Sequence, residues 1–130
     1  MKRFTFLPRV ILGLLLFATG GCVSLATDVT NTVNGTTYTF TVGTNNTVTL
    51  SKIGDTDLKS YTGTDIDLLS AYPNGTFTVD GTTYTITSMD AMGGNKNLQT
   101  VKMPSTVTSL PWNCFDGCTS LTTVNFPGIT

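Results

Sequence analysis

The C-terminal third of the chain repeats itself at a fixed interval, and this restricts its fold more than any other feature. A shift of 23 positions superimposes four pairs of residues: Leu98 on Leu121, Val101 on Val124, Met103 on Phe126, and Pro104 on Pro127. A unit this short cannot bury its apolar side alone, so neighbouring units must stack on one another. The sequence therefore predicts repeated units, each made of a strand and a return segment.

Periods of 20–29 residues, with leucine and with asparagine or cysteine at one inward position, are typical of leucine-rich repeats. The segment 98–127 resembles the BspA-type leucine-rich repeats of bacterial and protist surface proteins, and residues 80–87 are similar to the lead-in that opens such arrays. The resemblance covers about residues 77–127. The expected repeat core consists of Leu98, Val101, Met103, Val107, Leu110, Phe115, Cys118, Leu121 and Val124.

The resemblance implies a mainly β fold with some α structure: a β-hairpin lead-in or cap, followed by a short, incomplete α/β solenoid. It also implies display outside the cell and adhesion or other protein contacts, with no enzyme activity and no cofactor. The chain holds under two repeats by this alignment. Either it is part of a longer array or the hairpins cap it.

Alternating apolar and polar residues predict two β-hairpins before the repeats. In the first, Tyr38, Phe40 and Val42 share one face, and residues 43–46 supply the turn before Val48 and Leu50. In the second, Asp80-Gly81 is a strong two-residue turn signal that places Phe77 opposite Tyr84. Residues 33–41 and 79–87 are also alike at seven of nine positions, which suggests that one structural unit is used twice.

The first 21 residues have the features of a signal peptide. Lys2, Arg3 and Arg9 precede a short apolar run, 10–18, that is too short to span a membrane. The ending at Cys22 resembles a bacterial lipoprotein box and predicts lipid attachment at Cys22. The alternative is ordinary cleavage after Gly20 or Ala26, at small residues.

The composition excludes most catalytic sites. The chain has no histidine, 12% charged residues and a net charge of −1, so it lacks the usual general base and the basic surface that nucleic acids require. Two Asp-x-Asp pairs, Asp55/Asp57 and Asp65/Asp67, do not continue as a calcium loop and are interpreted as turn and strand residues. Cys114 and Cys118 provide too few ligands for zinc, and Cys118 is interpreted as a core residue.

Trp112 remains open between two interpretations, a contact residue and a core residue. The expected organisation is a signal peptide at 1–21, a linker at 22–32, a hairpin region at 33–76 and a repeat region at 77–130. We expect an exported, lipid-anchored surface protein that binds a protein or host-matrix partner through its repeat face. It would contact the membrane only through its lipid and would bind no nucleic acid. The alternative is a self-associating component of the cell envelope or of a surface fibre.

Overall fold

The computed structural model of the chain describes residues 27–129, so the expected signal peptide and Cys22 lie outside the described residues. Strands dominate this range, which confirms the prediction of a mainly β fold. The elements in chain order are β1 (Thr27–Val33), β2 (Thr36–Val42), β3 (Thr47–Ile53), β4 (Thr56–Asp57), β5 (Asp65–Asp67), α1 (Leu68–Ala71), β6 (Thr76–Val79), β7 (Thr82–Met89), β8 (Thr100–Lys102) and β9 (Thr123–Asn125). Two 3₁₀ turns, Thr44–Asn46 and Leu58–Ser60, flank β3 and β4.

These strands form two sheets. The larger sheet has the order β1-β2-β3-β7-β6, with β4 paired to the end of β3, and all of its pairs are antiparallel except β3 with β7. Its first strand also lies against its last, so this sheet nearly closes on itself. The smaller sheet is β5-β8-β9 and is entirely parallel. One apolar cluster contains buried residues from both sheets, such as Phe40 of the larger and Val101 of the smaller.

Both predicted hairpins are present, and the second has the predicted register. In the hairpin of β2 and β3, Phe40 lies opposite Leu50. In the hairpin of β6 and β7, Phe77 lies opposite Tyr84, with ring centroids 5.5 Å apart. The reason is local: alternation sets the buried face, and the turn residues set the register.

The two similar segments do form the same structure, but this adds a strand that we did not expect. Asn34-Gly35 and Asp80-Gly81 both have positive φ, as a two-residue turn requires, with glycine φ of 82° in each. Two matching threonine pairs also bond across the strands, Thr32 with Thr37 at 2.8 Å and Thr78 with Thr83 at 2.9 Å. The expected linker 22–32 therefore does not fit, because residues 27–33 form β1. Its weak apolar pattern hid a strand that pairing with β2 stabilises.

The smaller sheet contains the 23-residue shift seen in the sequence. In the pairing of β8 with β9, Val101 lies beside Val124. The return segments stack as well, since the Met92 amide donates to the Cys114 carbonyl and the Gly94 amide to the Asp116 carbonyl, each at 2.7 Å. These bonds join residues 22 positions apart, because each amide bonds to the carbonyl just before the residue aligned with it at 23. Each repeat is thus one layer, or coil, joined to the next by backbone hydrogen bonds.

A further coil precedes the repeats that the sequence showed. In it β5 pairs in parallel with β8, with Ile66 beside Val101, although 35 positions separate them. The β6–β7 hairpin lies between β5 and β8 in the chain, which lengthens this interval and hides the periodicity. The described residues therefore hold three stacked coils, which we call the first (47–67), middle (82–102) and last (107–125) coils. The expected start of the repeat region at residue 77 therefore lies between the first and middle coils and not at the start of the stack.

The return segments contain turns where the resemblance implied helices. Gly94, Asn113 and Gly117 all have positive φ, which a right-handed helix cannot accommodate. Within residues 27–129 the α-helix is the four-residue α1, which follows β5. No helix in this range is long and apolar enough to cross a membrane.

Candidate interaction surface

The parallel sheet presents one broad face to solvent. In each three-residue strand, the middle side chain points to the side of the sheet opposite to the first and third. The middle residues Ile66 and Val101 point into the core and are at most 2% exposed. The side chains of the first and third residues lie on the opposite side, and we call them the sheet face: Asp65, Asp67, Thr100, Lys102, Thr123 and Asn125.

Charge is distributed unevenly across the sheet face. Asp65 and Asp67 lie on the outer strand β5, Lys102 lies beside Asp67 on the central strand β8, and β9 carries no charge. The Asp67 carboxylate is already engaged, because it accepts hydrogen bonds from the Ser70 amide at 2.9 Å and the Ser70 hydroxyl at 2.8 Å. The Asp65/Asp67 pair is therefore part of a strand, as expected, and Asp67 in addition caps α1. The face offers hydroxyls, amides and isolated charges to a partner.

Asn95 holds the middle coil to the first one. Its side chain is 2% exposed and forms four hydrogen bonds: Nδ2 donates to the carbonyls of Leu58 and Tyr61 at 3.0 and 2.9 Å, and Oδ1 accepts from the amides of Asn97 and Leu98 at 2.9 and 3.0 Å. An amide side chain can form four hydrogen bonds, so Asn95 uses all of its donors and acceptor positions. The amide therefore fixes the return turn that orients β8.

Cys118 occupies the equivalent position in the last coil. Its thiol donates to the Met92 carbonyl at 3.2 Å, across to the middle coil. Because a thiol forms fewer and weaker hydrogen bonds than an amide, this corner is joined less firmly than the one at Asn95.

The expected repeat-core residues differ in burial. Leu98, Val101, Met103 and Val107 are 0% exposed, whereas Leu110, Phe115, Cys118 and Leu121 are half-buried. Val124 differs from the expectation, because it is 54% exposed. It lies on β9, the last strand of the sheet, and no further strand among the described residues covers it.

Trp112 is not a core residue. Its side chain is 88% exposed, in the turn that begins the last return segment, next to Asn113 with φ of 57°. An exposed tryptophan offers a large, rigid apolar surface, which is the type of side chain that dominates binding at many protein interfaces.

Cys114 and Cys118 are the cysteines of the described residues. Cys114 is buried, and burial raises the pKa of its thiol to about 11, so it stays protonated at neutral pH. Both thiols are free. Within residues 27–129, no group of three or more acidic or cysteine side chains has the arrangement of a metal site.

Sequence reasoning did not find the proximity of three aspartates at one end of the larger sheet. Burial, and then repulsion from Asp57 and Asp28, raises the pKa of the Asp90 carboxyl. These residues come from three distant parts of the chain, so no sequence pattern could have linked them.

Comparisons with known proteins give one similar structure. No protein-family model matches the sequence, and no curated protein matches it. Among solved structures, the chain is similar to a leucine-rich repeat protein from Bacteroides capillosus, with 24% identity and a TM-score of 0.49. The match covers 75% of this chain and 64% of that one, so the chain spans less than two thirds of that structure. The stacking of the coils follows from the strand register alone.

Proposed function

We propose that the chain is a non-enzymatic, exported surface protein of the BspA-like type that binds a protein partner, such as a host-matrix protein, through its repeats. The sheet face supports this proposal most strongly. Three parallel strands present one continuous polar surface, and the inner side chains of two of them, Ile66 and Val101, are fixed in the core. A rigid surface of this kind loses little conformational entropy when a partner binds.

Trp112 would give a bound partner a second point of contact. A side chain that is 88% exposed contributes little to folding, so its size favours a role in contact with another molecule. Lys102, the one charged side chain on β8, would orient a partner that carries acidic groups.

Binding can be tested on an array of purified matrix proteins, including collagen, laminin and fibronectin. We expect the chain to bind at least one of them and the Trp112→Ala or Lys102→Glu variant to bind it about tenfold more weakly or worse. Thr30→Ala, an exposed change on the larger sheet, serves as the matched control and should leave binding unchanged. Binding that survives deletion of residues 98–130 would remove the repeats from this function.

Export with a lipid anchor at Cys22 is a separate part of the proposal. It is supported by the basic and apolar pattern of residues 1–21 and by the cysteine directly after it. In cells fed a labelled fatty acid, wild type should incorporate label and Cys22→Ala should not. Equal labelling of the two, or none in either, would contradict the anchor, and ordinary cleavage would then explain the segment.

A self-associating envelope or fibre component is the second candidate. It is favoured by the strand edge at β9, which has no charged side chain to discourage pairing with another chain. Light scattering separates the two candidates, because a fibre component should form species whose mass grows with concentration.

A further inference from the structure

The return turn of the last coil holds two cysteines four positions apart, Cys114 and Cys118. The Cys118 amide donates to the Phe115 carbonyl at 3.0 Å, and Gly117, with φ of 76°, directly precedes Cys118. A turn closed in this way brings its first and last Cα atoms to within about 7 Å of each other. The chain therefore folds back at Cys118 toward the segment that starts at Cys114.

Both thiols lie against the same residue of the middle coil. The Cys118 thiol donates to the Met92 carbonyl at 3.2 Å. The Cys114 thiol lies 3.9 Å from the Asp90 carbonyl. Burial raises the pKa of this thiol, and a hydrogen bond from the Met92 amide opposes that change by lowering it. Because the amide nitrogen and carbonyl oxygen of one residue are only about 3 Å apart, the two sulfur atoms are held side by side, facing the middle coil.

The two thiols differ in how they can be reached. Cys114 is 5% exposed, whereas Cys118 is half-buried and reaches solvent. A small disulfide in solution therefore meets Cys118 first, since thiol–disulfide exchange needs access to the attacking sulfur. Cys114 is placed to attack a sulfur next to it and not a dissolved reagent.

We propose that Cys114 and Cys118 form a redox-active dithiol, which a small disulfide such as oxidised glutathione converts into an intramolecular bridge. The Cys118 thiolate attacks one sulfur of the small disulfide and releases one glutathione. Cys114 then gives up its proton, attacks the Cys118 sulfur and releases the second glutathione. The two cysteines lose two protons and two electrons, and the two glutathione sulfurs take them up and leave as thiols. This chemistry goes beyond the binding function proposed above and does not depend on it.

The bridge changes the joint between the last two coils. In the reduced chain the Cys118 thiol donates to the Met92 carbonyl and so joins the last coil to the middle one. A disulfide has no proton to donate, so oxidation removes this bond and links Cys114 to Cys118 within the turn instead. The pair therefore acts as a redox switch that exchanges a contact between coils for a crosslink within one coil.

The test uses the full chain with Cys22→Ala, which leaves Cys114 and Cys118 as its two cysteines. The folded chain is equilibrated with mixtures of reduced and oxidised glutathione, remaining thiols are alkylated, and the mass is measured. We expect both thiols to be lost together, with a mass lower by two hydrogen atoms. The equilibrium constant for the bridge should be at least about tenfold higher in the folded chain than in urea, because the fold holds the sulfurs together.

Single variants separate the two roles. Cys114→Ser should stop at a mixed disulfide between Cys118 and glutathione, and Cys118→Ser should stay unmodified while it is folded, which circular dichroism checks. Four results would overturn the proposal: thiols that stay open to alkylation, disulfide-linked dimers in place of the bridge, glutathione attached to Cys114 in folded Cys118→Ser, or equal equilibrium constants with and without urea. The mass and urea measurements need neither single variant, so they decide the matter even if a serine variant does not fold.

Discussion

At the scale of single residues, Asn95 contributes most to the alignment of the coils. It is the buried polar side chain among the described residues, and its four hydrogen bonds join two coils and close one return turn. Burial of an amide is costly unless all of its groups are paired, so this arrangement depends on every one of those partners.

Asn95→Ala should therefore lower the free energy of unfolding by about 3 kcal/mol, because it leaves buried backbone groups without partners. Asn95→Cys, which copies the residue at position 118, should lose less, since a thiol can still donate one bond. Asn97→Ala changes an exposed side chain and is the control. Urea unfolding measures all three, and a loss below about 1 kcal/mol for Asn95→Ala would refute this role.

Asp90 should make stability depend on pH. Burial, and then repulsion from Asp57 and Asp28, raises the pKa of its carboxyl above the ordinary 3.8, so the folded chain binds this proton more tightly than the unfolded chain. Stability is then lost as the pH rises from 3.8 through the raised pKa. Asp90→Asn should be more stable than wild type at pH 7, by less than about 1 kcal/mol because the group is largely solvated, and equal to it at pH 3.

Thermal unfolding at both pH values measures this difference. Asp116→Asn makes the same change of charge at an exposed site in the last coil and is the matched control. A gain of equal size at pH 3 and pH 7 for Asp90→Asn would mean that ionisation is not its cause.

At the scale of elements, the turn glycine within a hairpin and the glycine that leads into it tolerate substitution differently. Gly81 and Gly75 both have positive φ, 82° and 72°, yet their surroundings differ. A Cβ atom at Gly81 would meet no atom within 4 Å, whereas one at Gly75 would overlap the side chain of Thr106, directly before the last coil.

Gly81→Ala should therefore cost about 1 kcal/mol through its backbone conformation alone, and Gly35→Ala, in the matching turn, should cost the same. Gly75→Ala should cost more than about 2 kcal/mol, because the steric overlap adds to the backbone term. Chemical denaturation compares the three variants. Similar losses for Gly75→Ala and Gly81→Ala would show that the contact with Thr106 is not tight.

At the scale of the whole molecule, the position of a coil in the stack decides what a residue contributes. Val101 and Val124 are the same residue type in the same register, but one is 0% and the other 54% exposed. The difference arises only from the layer that covers the first and not the second.

Val101→Ala should cost about 2 kcal/mol of stability, and Val124→Ala should cost less than about 1 kcal/mol, because only the first removes buried atoms. Urea unfolding measures both. Equal losses for the two variants would show that position in the stack does not decide what these valines contribute.

Local patterns were sufficient to predict part of this structure. The alternation around Phe40 and Phe77, the Asp80-Gly81 turn and the 23-residue shift between Val101 and Val124 all reappear in the strand register, because side-chain period and turn geometry act over a few residues. The exposure of Trp112 was left open, because a single residue next to a turn has no period to interpret.

Other features depend on contacts between distant segments, and only the tertiary structure decided them. The first coil was hidden because the β6–β7 hairpin interrupts its spacing from the middle coil, and β1 was hidden because its stability comes from pairing with β2. Val124 follows the pattern of a core residue and is exposed because burial depends on the layer above it. Sequence alone thus determined the repeating unit, and the stacking of units determined which of its residues are covered.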